Sequence, residues 1–352
     1  MPVNKSRIEW CDHTWNPITG CRHGCYYCYA RTMTARFAGD VRLNKMAKAD
    51  YQLVDSADGS ASVYYLEQPM MNETGNQLVY PFGFEPTYHK YRMNTLDKLK
   101  MGNNIFVGAM ADIFGDWVPE EWILDVFEEC RAIPRHNYMF LTKNPERYLE
   151  LWKNAKLPDT NNMWYGATVT QNAQLEMATQ VFSELPDKFH TFFSIEPIFD
   201  DIAVNEIWKE SILQTEWIII GAQTGRRKDK VVPSTEWIKK IVTSADSAFG
   251  IPVFMKDSLI PIVGEKNMRR DFPKELQHKI ISEKMRNKLY SECSKCKIYT
   301  KKNNMVALLA RFKRGEQPIQ YGFMCKECFG KFLEELGIST EKIKQNKYRK
   351  ES

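Results

Sequence analysis

The feature that most limits what this chain can fold into is a series of six short apolar runs between residues 104 and 257. They fall at 105–110, 138–142, 164–169, 191–195, 217–221 and 252–255 and are rich in β-branched and aromatic residues. Amphipathic stretches at 119–132, 145–154, 172–184 and 234–247 lie between most of them. Near-continuous apolar strands separated by helices predict a parallel sheet of βαβ units covered on its faces. Ser234, followed by Glu236 and Trp237, reads as a helix start.

The runs share a polar C-terminal end: Asp112, Thr142 with Lys143, Thr168 with Thr170, Ser194 with Glu196, and Gly221 with Gln223 and Thr224. In barrels and open α/β sheets that edge is where ligands bind. One polar strand end is usually a cap or turn. Five in succession point to a binding face.

There are nine cysteines. Cys130 sits in the amphipathic stretch at 119–132 and reads as a small buried hydrophobe. The others cluster, and in a reducing compartment such clusters hold metal more often than they form disulfides. Cys21, Cys25 and Cys28 fall within eight residues, with Gly20 and Gly24 letting the backbone bend. Thiolates favour iron–sulfur clusters or zinc. A zinc site wants a fourth ligand, which His23 or Cys11 would supply. A redox dithiol of Cys25 and Cys28 leaves Cys21 unexplained.

The spacing of this triplet, with Tyr27 just before the last cysteine, resembles the signature of radical S-adenosylmethionine enzymes. Five ordered blocks narrow the likeness: Ile8-Glu-Trp10 through Thr14-Trp-Asn-Pro17 to Cys21, Phe106 to Asp112, Leu141-Thr-Lys143-Asn-Pro145, Ser194-Ile-Glu196-Pro197, and Ile220-Gly221-Ala-Gln223. Together they resemble the phage Gp37/Gp68 family (DUF5131), an offshoot of the radical SAM proteins.

The resemblance implies a partial (β/α) TIM-type barrel, with the cluster loop after its first strand. Cys21, Cys25 and Cys28 would hold a [4Fe-4S] cluster whose open iron chelates S-adenosylmethionine. Reduction by a donor such as flavodoxin or ferredoxin then yields a 5′-deoxyadenosyl radical. Asp112 would stand where the superfamily meets the methionine amino group, although Ala109-Met110-Ala111-Asp112 replaces the usual Gly-Gly-Glu there. Thr168, Ser194 and Glu196 would contact ribose or carboxylate, and Gly221 and Gln223 the adenine. Lys256 would face substrate, and Cys11 is a candidate hydrogen-atom donor whose bland reading is a buried thiol.

Cys293/Cys296 and Cys325/Cys328 form two CxxC knuckles 28 residues apart. Paired CxxC turns match structural Zn2+, on which a small domain of this kind depends to fold. The intervening residues read as a β-hairpin turning near 313–315. Lys295, Lys297, Arg311, Lys313 and Arg314 alternate with Tyr299, Phe312, Tyr321 and Phe323. Such a surface suits phosphates and stacked bases, so nucleic acid, DNA in particular, is the expected partner. Composition sharpens this. The net charge of +5 hides 22 Lys/Arg against 10 Asp/Glu at 266–352, and 27 against 34 before it.

The expected organisation is a barrel at 1–265 with an irregular insertion around 40–100, a helical linker at 266–290, and a basic zinc-ribbon domain and tail at 291–352. No apolar run approaches the roughly 18 residues needed to span a bilayer. The first residues lack a secretory apolar stretch, so the expected location is cytoplasmic. The leading expectation is a radical SAM enzyme modifying or rearranging a base substituent in DNA, for example on a 5-substituted pyrimidine flipped from the stack. A radical SAM enzyme of a peptide or small metabolite, and a non-catalytic zinc and nucleic-acid-binding protein, are the alternatives.

Overall fold

The computed structural model describes residues 3–99, 102–202, 215–225, 229–247, 250–277, 290–292, 294–295, 299–301, 305–310 and 319–335. The chain divides into two compact units, Met1–His278 and Lys279–Ser352.

The first unit is built on an eight-stranded, mostly parallel sheet. Strand β1 (Val3–Lys5) runs antiparallel to β2 (His13–Trp15) at one edge. From β2 onward every pairing is parallel. The order is β7 (Asn104–Val107), β8 (Asn137–Thr142), β9 (Met163–Thr168), β10 (His190–Ile195), β11 (Trp217–Ile220) and β12 (Val253–Met255). All six runs expected from the sequence therefore enter one sheet, in chain order. Helices α3 (Glu120–Ala132), α4 (Glu146–Lys153), α5 (Asn172–Glu184) and α6 (Thr235–Ser247) return the chain between strands. Ser234 caps α6: its Oγ accepts the Trp237 N–H at 3.1 Å, satisfying a donor left free at a helix start. Among the named strands β12 pairs only with β11, its other side carrying an isolated antiparallel bridge from Phe254 to Arg270, so the sheet stays open among the described residues. A short helix, α7 (Ile260–Val263), follows it.

Alternate side chains on each strand go to two different cores, as the two-residue period of a strand requires. Ile105 and Val107, Tyr138 and Phe140, Phe193 and Ile195, and Ile218 and Ile220 pack with the helices' buried faces, among them Phe127, Tyr148, Phe182 and Ile241. Phe106, Met139, Trp164, Phe192, Trp217, Ile219 and Phe254 face the other way and pack with Trp10 and Leu276. At about 1.5–3 kcal/mol for each large side chain fully buried, this two-sided burial is the main stabilisation of the sheet. Gly166 makes room for it: a Cβ there would lie 2.3 Å from the Phe192 ring.

A second, four-stranded sheet, in the order β3-β6-β5-β4, fills most of the stretch expected to be an irregular insertion. It comprises β3 (Ile18–Thr19), β4 (Gln52–Val54), β5 (Val63–Leu66) and β6 (Thr87–His89). Helices α1 (Tyr29–Phe37) and α2 (Val41–Met46) precede β4. Arg92 ties the stretch to the main sheet: its guanidinium donates to the carbonyls of Asn16 (2.9 Å) and Val79 (2.6 Å). The Trp15 indole N–H donates back to the Arg92 carbonyl at 3.2 Å.

The second unit contains an antiparallel pair, β13 (Tyr290–Glu292) with β14 (Tyr299–Lys301). It also contains the expected hairpin, β15 (Met305–Ala310) with β16 (Ile319–Cys325), followed by helix α8 (Lys326–Glu335). Lys295 and Glu335 form an ion pair at 2.7 Å. Cys293, Cys296, the hairpin turn and the tail from 336 onward lie outside the described residues, as does the Cys325 side chain. Cys328, on α8, is half-buried. No helix among the described residues is long and apolar enough to cross a membrane.

Candidate active site

The face of the sheet that carries Phe106, Met139, Trp164, Phe192 and Phe254 changes character toward the strands' C-terminal ends. Further along the same register come polar residues: Lys143, Thr168, Ser194 with Glu196, Gln223 and Lys256. These six line a cavity of about 270 Å3, floored by Trp10, Phe106 and Leu141. Cys21, Cys25 and Cys28 line the same cavity, with Tyr27, Tyr29 and Asp112.

The cysteine loop is held from several sides. Gly20 has φ +87°, and a Cβ there would lie 2.2 Å from the Glu85 carbonyl oxygen. Only glycine fits that approach. Gly20 N–H donates to the Met110 carbonyl (2.9 Å) and Cys21 N–H to that of Phe84 (3.2 Å). Arg22 reaches the Ser60 hydroxyl (2.9 Å) and the Ala61 and Ser62 carbonyls (3.2 Å). Cys28 is the N-cap of α1, its sulfur accepting the Arg31 N–H. Burial, with the nearby Asp112 charge, pushes the Cys21 thiol up to about 12.

Asp112 is the hub of this anchorage. Its Oδ1 accepts the Thr142 hydroxyl (2.7 Å) and the Phe114 N–H (3.1 Å), and its Oδ2 accepts the Lys143 N–H (2.8 Å). Oδ2 also lies 2.7 Å from His23 Nε2, and the His23 ring stands edge-on to Trp117 at 4.9 Å. One buried carboxylate thus joins the ends of β7 and β8 to the cysteine loop, with both oxygens spent on protein partners. From the other side, the Tyr29 hydroxyl donates to the Ala109 carbonyl at 2.5 Å, a strap from α1 to the end of β7.

Three buried polar atoms at the cavity have no hydrogen-bond partner: Lys143 Nζ, Glu196 Oε1 and Gln223 Nε2. Burial pulls the Lys143 ammonium below its ordinary value, against the pull of Cys25 and Asp112. It sits over the Tyr27 ring, 5.5 Å from its centroid. Gln223 is fixed by its Oε1, which accepts the Val231 N–H at 3.1 Å, so its amide donors face inward unpaired. Glu196 Oε2 accepts from Lys256 Nζ at 2.7 Å. Burial lowers Lys256, but the Glu196 carboxylate and its hydrogen bond outweigh that and hold the ammonium above its ordinary value. An unpaired buried donor or acceptor costs about 1–3 kcal/mol, so a cation, an acceptor and a donor left open around one cavity are suited to a polar ligand.

Most of the residues singled out from the sequence meet here. Two stand apart from the cavity wall. Cys11 packs against the core of Trp10, Phe106 and Phe192, its thiol donating to the Ser6 hydroxyl at 3.1 Å, and burial pushes it up to about 12. A Cβ on Gly221 would lie 3.2 Å from Lys256 Cδ and 3.3 Å from the Glu196 carboxyl carbon, so this glycine leaves room for that ion pair. Lys143 is a site residue to which sequence reasoning gave no role. Its signal is present, because it lies two residues past Leu141 on the cavity-facing register of β8.

The family profile described as "Protein of unknown function (DUF5131)" matches residues 5–260. The chain belongs to the DUF5131 family. All three cysteines of the loop and every strand-end residue at the cavity fall within the matched region. No curated protein matches this DUF5131 member. Among solved structures it is similar to spore photoproduct lyase with a dinucleoside spore photoproduct, at 9% identity and a TM-score of 0.38, covering 95% of this chain and 73% of that one. A form of the same lyase with bound AdoMet and the dinucleoside gives 8% identity and a TM-score of 0.37, over 95% and 74% of the two chains.

Proposed function

We propose that this DUF5131 member is a radical S-adenosylmethionine enzyme acting on a nucleic-acid base. The observation that carries the reading is that three thiols, an unpartnered ammonium and an unpartnered amide donor line one cavity at the C-terminal edge of a parallel sheet. The fit to a [4Fe-4S] cluster lies in donor type and placement, with three soft ligands on one loop and one wall. Among the described residues no three His, Cys, Asp or Glu side chains stand as a ready-made metal group, so the thiols would have to close on the cluster as it binds and shed their protons.

Cys21, Cys25 and Cys28 would hold the cluster, which when bound supplies the electron that cleaves the sulfonium of S-adenosylmethionine. Lys143 offers a charge-assisted hydrogen bond to the cofactor's carboxylate. Thr168 and Ser194 present hydroxyls to its ribose, and Gln223 Nε2 donates to a ring nitrogen of its adenine. The Glu196–Lys256 pair faces the remaining space, where a base would enter. Asp112 and His23 keep the loop in register, and the Tyr29 strap narrows the mouth and limits water.

The nucleic-acid part of the proposal is supported by charge: Lys279–Ser352 holds 18 Lys/Arg against 8 Asp/Glu. A structural Zn2+ on Cys293, Cys296, Cys325 and Cys328, and delivery of DNA by this region, complete the proposal. Reconstitution with iron and sulfide without oxygen should give iron–sulfur absorbance, and dithionite with S-adenosylmethionine should give 5′-deoxyadenosine. A chain that binds no iron and forms no 5′-deoxyadenosine is not this enzyme. Comparing the masses of nucleosides from treated and untreated DNA then tests the substrate.

A further inference from the structure

Residues 22–48 carry six Lys/Arg and a single Asp, whereas the rest of 1–265 carries 21 basic and 33 acidic residues. A local +5 thus sits in surroundings of −12, beginning within the cysteine loop and running on past it. Arg31, Arg36, Arg42 and Lys48 of this segment are exposed.

The same segment also inverts the usual helix pattern. A surface helix normally buries its large apolar side chains. Helix α1 buries only Ala30 and Thr34, and leaves Tyr29 (52%), Met33 (42%) and Phe37 (50%) exposed. These three are spaced by four residues and so share one stripe, with Arg36 beside Met33 on the same side. Tyr29 and Ala30 lie on the cavity wall. A row of exposed large side chains with Arg36 beside it therefore starts at the cavity and runs outward along α1.

We infer that the α1 stripe is a docking track for single-stranded nucleic acid, which guides a strand to the cavity mouth. Cations of the segment would meet phosphates, and the faces of Tyr29 and Phe37 would stack bases, the combination by which proteins hold single strands without reading sequence. Charge alone would equally suit an acidic protein. The ring faces, and their continuity with the cavity that must receive a substrate, favour the nucleic acid. This deepens the proposed function and rests on its assignment of a nucleic-acid substrate.

The test uses the full chain and a fluorescent twenty-residue oligothymidine, with binding read by anisotropy over a series of salt concentrations. An Arg31→Glu/Arg36→Glu/Arg42→Glu variant should bind at least tenfold more weakly. Its salt dependence should be shallower by about 2 in log–log slope, at about 0.7 for each phosphate no longer neutralised. A Met33→Ser/Phe37→Ser variant should lose several-fold affinity for the oligonucleotide and none for inorganic polyphosphate, which has no bases to stack. Unchanged affinity and slope in both variants would overturn the inference. So would unchanged oligonucleotide binding with slower reduction by flavodoxin, which assigns the surface to an electron carrier. Arg36→Gln alone repeats the measurement if the triple variant does not fold. Formation of 5′-deoxyadenosine without nucleic acid is scored separately, so a failed docking track and a failed enzyme assignment give different results.

Discussion

At the scale of single residues, the site is defined by atoms left without partners. Lys143 is the clearest, an ammonium whose burial is costly unless an anion joins it. Replacing it with Gln should leave the iron content of the reconstituted chain unchanged. Binding of S-adenosylmethionine, measured by calorimetry, should weaken about 10–100-fold, the loss of one charge-assisted hydrogen bond. Cys11, bonded to Ser6 and packed against the apolar core, should be dispensable, and Cys11→Ala should form 5′-deoxyadenosine at the parent rate. The cysteine triplet stood out in the sequence because three soft ligands fall within eight residues, and the fold brings all three to one cavity. The work of Asp112 was not, because its four partners lie 2, 30, 31 and 89 residues away along the chain. Nothing local announces such a hub.

At the scale of elements, the alternation of side chains between two cores explains both the fold and the site. The six apolar runs were legible as strands, and α5 has the bounds its amphipathic period predicts. The sheet of β3 to β6 was hidden: its strands have two to four residues, too few to show a period, and Pro and Gly interrupt the segments between them. Packing across β9 and β10 gives a direct check. Gly166→Ala would drive a methyl into the Phe192 ring and should destabilise the chain by about 1–3 kcal/mol, read as a lower melting temperature. Asp112→Ala should release the loop from β7 and β8, stranding several buried donors, and should cost about 2–4 kcal/mol. Iron bound on reconstitution should fall with it, whereas Asp112→Asn keeps acceptors at one oxygen and should retain part of the iron.

At the scale of the whole molecule, two buried histidines set the response to acid. His136 takes the Asn103 N–H on Nδ1 at 3.2 Å, and burial lowers it to about 4. His89, between Thr19 and Tyr91, is held well below its ordinary value by burial and the Arg92 charge. Both must be neutral in the folded chain, while the unfolded chain takes up their protons from about pH 6.5. Stability from this source is therefore intact above pH 6.5 and falls as the pH drops toward 4, since the unfolded state binds more protons throughout that window. Calorimetric melting temperatures should decline over that interval. His136→Asn, which can still accept the Asn103 N–H, should decline less steeply. The charge contrast between the two compact units was legible from counting alone, but the basic segment at 22–48 was masked by the acidic residues around it.

The cavity joins walls made at opposite ends of a long stretch of chain, from Cys21 to Lys256. During synthesis the thiol loop leaves the ribosome first, and Lys256 follows Cys28 by 228 residues. At about 5–20 residues per second, that is a delay of about 10–45 seconds. For that time three reactive sulfurs stand in an unfinished pocket, open to oxidants and stray metal. Under the proposed function, cluster loading would be ordered behind translation, and the yield of active chain should depend on how fast the last strands are made as well as on how well the finished fold holds iron.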